Sequence, residues 1–151
     1  MRKQSTLMKS IAFILLIFLL SGCGRDTSSP KSGILGHWET ENADLYFSSN
    51  KLTSVLKKDG TTREVEYTVI SYNDKKRSIL IKPNPKNANG ENVFAEQIKF
   101  NEDYTKAELT LNLKNSDFSE EDKDTFENID QEYMDTQVNK MKYIDSKQEI
   151  N

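Results

Sequence analysis

Residues Lys106–Lys114 read KAELTLNLK, with Leu109, Leu111 and Leu113 alternating against Glu108, Thr110 and Asn112. Successive side chains of a strand point to opposite faces, so this period of two predicts a strand with one buried and one wet face. The pattern recurs on both sides of it. Thr62–Tyr72 sets Val65, Tyr67 and Val69 against Glu64, Glu66 and Thr68, and Asn92–Phe100 sets Phe94, Ile98 and Phe100 against Ala95, Gln97 and Lys99. Further strands are predicted over Leu35–Thr40, Asp44–Ser49, Lys51–Lys58 and Ser78–Lys82. Asp59-Gly60 is a strong hairpin signal, Asn73–Arg77 is a polar turn, Pro83 and Pro85 end the fifth strand, and Asn89-Gly90 marks the next turn. Seven short strands joined by tight turns predict a mainly β fold. The expected architecture is a small antiparallel meander β-barrel of seven to eight strands, because closure removes exposed sheet edges.

The last 38 residues differ in kind, with 11 acidic and 5 basic side chains. Phe126, Ile129, Tyr133, Val138 and Met141 fall near helical spacing, and Ser119 followed by Asp122 offers an N-cap. An acidic helix over about 119–139 is predicted, with Met141–Asp145 closing the barrel as an eighth strand and 146–151 as a polar tail. Thus 34–145 forms one barrel domain, and a multidomain enzyme is excluded on size.

At the other end, residues 1–22 hold Arg2, Lys3 and Lys9, no acid, and the apolar run Ile11–Leu20. That is the basic then apolar order of a signal peptide. Ten apolar residues are about half of what a membrane-spanning helix needs. Without this segment the chain carries 18 basic and 24 acidic residues, net −6. The tetrad Leu20-Ser21-Gly22-Cys23 resembles the lipobox of bacterial lipoproteins. That resemblance implies cleavage between Gly22 and Cys23 and a diacylglycerol thioether on Cys23, with or without N-acylation of the new terminus. The implied location is the extracytoplasmic face of the cell membrane. Cys23 is the only cysteine, so it has no disulfide partner within the chain. Residues 23–33, small and polar, read as the lipidated Cys and a flexible tether.

Gly36-His37-Trp38, preceded by Ile34-Leu35 and followed by Tyr46-Phe47, resembles the Gly-x-Trp opening of lipocalin-like barrels. The resemblance extends over Ile34–Leu113, in the manner of small lipoproteins of Gram-positive bacteria. It implies that Gly36 lets the chain turn tightly at the barrel base and that Trp38 lies across the barrel floor as a plug. The family also places an Arg from a late strand over the Trp. Here Arg63 and Arg77 lie in or beside early turns, and neither fills that place.

The inventory for catalysis is thin. His37 is the only histidine, which removes His-rich zinc sites and two-histidine relays, and alternation turns it outward into solvent if Trp38 points inward. Carboxylates Glu64, Glu66, Glu96 and Glu108 would have to converge on one concave surface to act as acid and base. The run Asp117–Glu127 lacks the ligand spacing of an EF-hand. Lys57-Lys58 and Lys75-Lys76-Arg77 are too divided for nucleic acid, although basic turns near an anionic membrane gain roughly 1 kcal/mol per Lys. The expectation is therefore a non-enzymatic, membrane-anchored binding module without metal or cofactor. It would take a small apolar ligand at the cell surface, or dock an envelope protein through Phe126, Ile129 and Tyr133.

Overall fold

The alternation along the chain becomes eight antiparallel strands, each hydrogen-bonded to the next and the last to the first, in a closed barrel. The computed structural model describes residues 25–84, 92–119 and 122–150. In chain order the elements are α1 (Pro30–Gly33), β1 (Gly36–Glu39), β2 (Ala43–Phe47), β3 (Lys51–Leu56), β4 (Thr62–Asn73) and β5 (Ser78–Pro83). There follow β6 (Val93–Phe100), β7 (Lys106–Asp117), α2 (Lys123–Glu127), α3 (Gln131–Thr136) and β8 (Asn139–Asp145). The barrel closes through β1 on β8, where Trp38 stands opposite Tyr143 and Glu39 opposite Lys142.

A meander sends its connections alternately to two ends. Helix α1 and the β2–β3, β4–β5 and β6–β7 turns form one end, the base. The β1–β2 and β3–β4 turns, the end of β5, the start of β6 and helices α2 and α3 belong to the other, the rim. Toward the base the interior is solid: Trp38, Phe47, Ile79 and Ile98 are fully buried, with Phe100, Leu109 and Met141 around them. Eight strands enclose a space just wide enough for side chains to fill. Each such side chain contributes roughly 1.5–3 kcal/mol by leaving water. Toward the rim the inward positions Leu56, Val65, Glu96 and Leu111 are only partly covered.

Gly36 opens β1 at φ +119°, a conformation that side chains disfavour, and a Cβ there would stand 2.6 Å from the Asp145 carbonyl oxygen. The sheet closes against this glycine, so the first position of β1 admits no side chain beside Asp145. Gly36→Ala is expected to cost about 2 kcal/mol, read as a lower urea midpoint at unchanged slope.

Three expectations change. The predicted helix over 119–139 is two short helices, because the chain turns at Asn128–Asp130 and Asp130 starts α3 by accepting from the Glu132 N–H at 3.0 Å. Strand β8 starts at Asn139 and β7 runs on to Asp117, beyond the clean alternation of its first nine residues. The tether is held from Arg25 onward. Ser29 caps α1 in a capping box with Ser32, Pro30 takes its first turn, and Pro30 and Gly33 are buried. Gly22, Cys23 and the predicted signal segment lie outside the described residues.

Candidate functional site

The rim is built by a mismatch in strand pairing. Strand β7 pairs with β8 only over Lys106–Leu109, yet with β6 as far as Asp117. Its upper half therefore has an edge without a neighbouring strand, and the Gln131 side chain fills that role. The Leu113 N–H donates to Gln131 Oε1 at 2.8 Å, and Gln131 Nε2 donates to the Leu111 carbonyl at 2.9 Å. A side-chain amide has the same donor and acceptor pair as a peptide, so one glutamine satisfies two backbone groups. Helix α2 is tied down through Asn92, whose Nδ2 donates to Asp122 Oδ2 at 2.8 Å and whose Oδ1 accepts from the Ser119 N–H at 2.8 Å.

Between these elements Phe94, Phe118 and Phe126 form an aromatic cluster with ring centroids 4.8–6.0 Å apart. Beside it runs a groove of about 550 Å³ lined by Leu113, Phe118, Phe126 and Ile129, with Lys114, Asp117, Lys123 and Gln131 among its polar groups. Small-molecule sites are commonly 300–1,000 Å³ with an apolar lining and a few polar groups. Of the three contact residues expected from sequence, Phe126 and Ile129 line the groove. Tyr133 does not, and stands 61% exposed on α3.

Of the four candidate carboxylates, one faces the barrel interior. Glu96 stands opposite Ile81 on β5 and Leu111 on β7, on the face that Ile98 and Phe100 turn into the barrel. Leu111 precedes the groove residue Leu113 by two positions, roughly 7 Å along the strand. No described residue hydrogen-bonds or ion-pairs with the Glu96 carboxyl. Burial pushes its pKa up to about 7. The other candidate acids stay apart from it: Glu64, Glu66 and Glu108 are exposed, and Glu64 lies 3.5 Å from Lys51 Nζ. Among the described residues no cluster of three His, Cys, Asp or Glu side chains is arranged to hold a metal ion.

At the base, Trp38 is fully buried and its Nε1–H donates to the Ile34 carbonyl at 2.7 Å. Its ring meets Phe100 and Tyr143 at 5.6 and 5.4 Å. An arginine does lie over it, supplied from the N-terminal side: the Arg25 guanidinium sits 4.8 Å from the Trp38 ring and 3.5 Å from that of Tyr143. Arg25 also donates to the carbonyls of Tyr104 and Gly33. His37 faces outward as alternation requires, but it is held. Its Nε2 is 2.9 Å from Asp44 Oδ1, its Nδ1 is 3.7 Å from Asp145 Oδ2, and its ring stacks on Tyr46 at 4.4 Å.

Compared with protein-family models, with curated proteins and with solved structures, the chain matches none of them.

Proposed function

We propose that this protein is a lipid-anchored, extracytoplasmic binding module, not an enzyme, whose rim groove takes a small apolar ligand. The groove carries the reading: its volume suits a small molecule, and Leu113, Phe118, Phe126 and Ile129 give it an apolar stretch beside the polar Lys114, Ser116, Asp117, Lys123 and Gln131. Glu96 lies outside the groove lining, on the inner face of β6 in register with Leu111, and would meet only a ligand that reaches past Leu113 into the barrel. A carboxyl that titrates near neutrality can donate or accept, so the ligand class that fits is an apolar body with one hydroxyl or amine head. The lipobox-like tetrad ending at Cys23 supplies the anchor, and two or three acyl chains make a stable one.

Both halves are open to test. The neutral apolar probe N-phenyl-1-naphthylamine should bind saturably with a fluorescence gain, and Ile129→Asp should weaken binding at least tenfold while leaving the unfolding midpoint nearly unchanged. Indifference of the probe to Ile129→Asp would remove the groove reading. Cys23→Ala should move the protein from the membrane to the soluble fraction, and a variant that stays bound would remove the anchor reading. A second reading, docking of an envelope protein, is favoured by the exposure of Tyr133 on the acidic rim. It predicts an empty groove and a partner lost in Tyr133→Ser.

A further inference from the structure

If Cys23 carries the anchor, the structure also bears on which way the barrel faces. Arg25 is fixed to the base by its two carbonyl contacts and its stacking on Trp38 and Tyr143. Only Gly24 separates it from Cys23, so the lipid-bearing residue is at most about 7 Å of chain from the base.

The surface of the base suits that placement. Among the described residues five large apolar side chains are exposed, and four of them lie at this end. Ile70 and Tyr72 lie on β4 past its pairing with β3, and Ile144 is near the end of β8. Ile150 follows Glu149, whose carboxylate is 3.8 Å from Lys51 Nζ at the start of β3. The β4–β5 turn adds Lys75, Lys76 and Arg77 next to Tyr72, and the Tyr104 that Arg25 touches feels the charges of Asp74 and Arg77 of that turn. The acids of the base, including Asp26, Asp74, Glu102, Asp103, Asp145 and Glu149, balance its cations overall. The rim is different: its 117–139 segment carries nine acids against one lysine, which outweighs Lys57 and Lys58 of the β3–β4 turn. An anionic lipid surface therefore repels the rim and accepts the base, where lysines gain attraction and exposed apolar side chains reach the interface.

We propose that the base of the barrel, with Ile70, Tyr72 and the Lys75-Lys76-Arg77 turn, rests on an anionic lipid surface and holds the rim groove toward the outside. The inference rests on lipid attachment at Cys23. It makes Arg25 a positioning residue that converts a lipid anchor into a fixed orientation.

The test uses the full lipidated chain in vesicles of phosphatidylglycerol and phosphatidylethanolamine. With the native cysteine blocked by lipid, Lys76→Cys at the base and Lys58→Cys at the rim each offer one site for a fluorophore. Nitroxide-headgroup lipids should quench the Lys76→Cys label at least twofold more than the Lys58→Cys label. Arg25→Ala should bring the two closer together. Should Arg25→Ala fail to fold, Tyr72→Asp with Lys75→Glu, both on exposed positions, should lower quenching at the Lys76→Cys label. Equal quenching, or stronger quenching at the rim, in vesicle-bound protein with diacylglycerol on Cys23 would overturn the orientation and leave the anchor standing. Unmodified Cys23 and protein floating free of vesicles would overturn both.

Discussion

Trp38→Ala is expected to remove about 4 kcal/mol of stability, within the range for emptying a large aromatic site. Trp38 is fully buried, and its neighbours are held by the closed sheet, Tyr143 on the adjoining strand β8 and Phe100 across the interior on β6. Collapse into the space is therefore limited. The change also orphans the Ile34 carbonyl and exposes the face on which Arg25 is stacked. A domain of this size has about 5–15 kcal/mol in all, so the thermal midpoint should fall by roughly 10 °C or more. Trp38→Phe separates the contributions: it keeps a ring for packing and for Arg25 but loses the indole donor, and should show about half the loss. Urea unfolding followed by far-ultraviolet circular dichroism checks both variants. A loss under about 1 kcal/mol for Trp38→Ala would mean that the barrel floor does not depend on this side chain.

Glu96→Gln is expected to do the opposite and stabilise the protein at neutral pH. Burial lifts the Glu96 pKa from 4.5 to about 7, so between these values the folded state holds a proton that the unfolded state has released. Stability from this group is full below about pH 4.5, falls as pH rises, and levels off above about pH 7. At 1.36 kcal/mol per pKa unit the total is at most about 3 kcal/mol, and solvent at the partly covered carboxyl lowers it. Glutamine has nothing to ionise. The variant should therefore unfold at higher urea than the parent at pH 7.5, match it near pH 4.5, and show a flatter pH profile between. If Glu96 is the polar contact for a ligand, the stabilised variant should also bind less tightly, which is the usual relation between a strained site and its function. A parent and variant with parallel pH profiles would show Glu96 to be solvated.

The strands were legible because a half-buried strand writes its faces into every second residue. KAELTLNLK sufficed to place β7, and the parity of Phe94, Ile98 and Phe100 already put Glu96 on the inner face, although its significance needed the register against Ile81 and Leu111. Gly36 and Trp38 are legible through a short motif, and Ser29-Pro30, at the start of α1, is a readable capping signal within an otherwise tether-like segment. Other features depend on distant partners. Arg25 reaches Tyr104, 79 residues away, and nothing in Gly24–Gly33 distinguishes it from a solvated tether arginine. The break between α2 and α3 follows from the need of Gln131 to reach the backbone of Leu111 and Leu113, a requirement created only when β8 stops short of β7. The groove is legible in part: helical spacing drew attention to Phe126 and Ile129, but also to Tyr133, because the spacing was read for one continuous helix.

Native mass spectrometry of the full protein, released in mild detergent from the membranes of its own cells, reads the occupancy of the groove. A bound small molecule of a few hundred daltons is expected, absent from the Ile129→Asp variant prepared in the same way. Protein that carries nothing beyond its own lipid, and that stays empty when apolar hydroxyl and amine compounds are added, would contradict a ligand-binding groove.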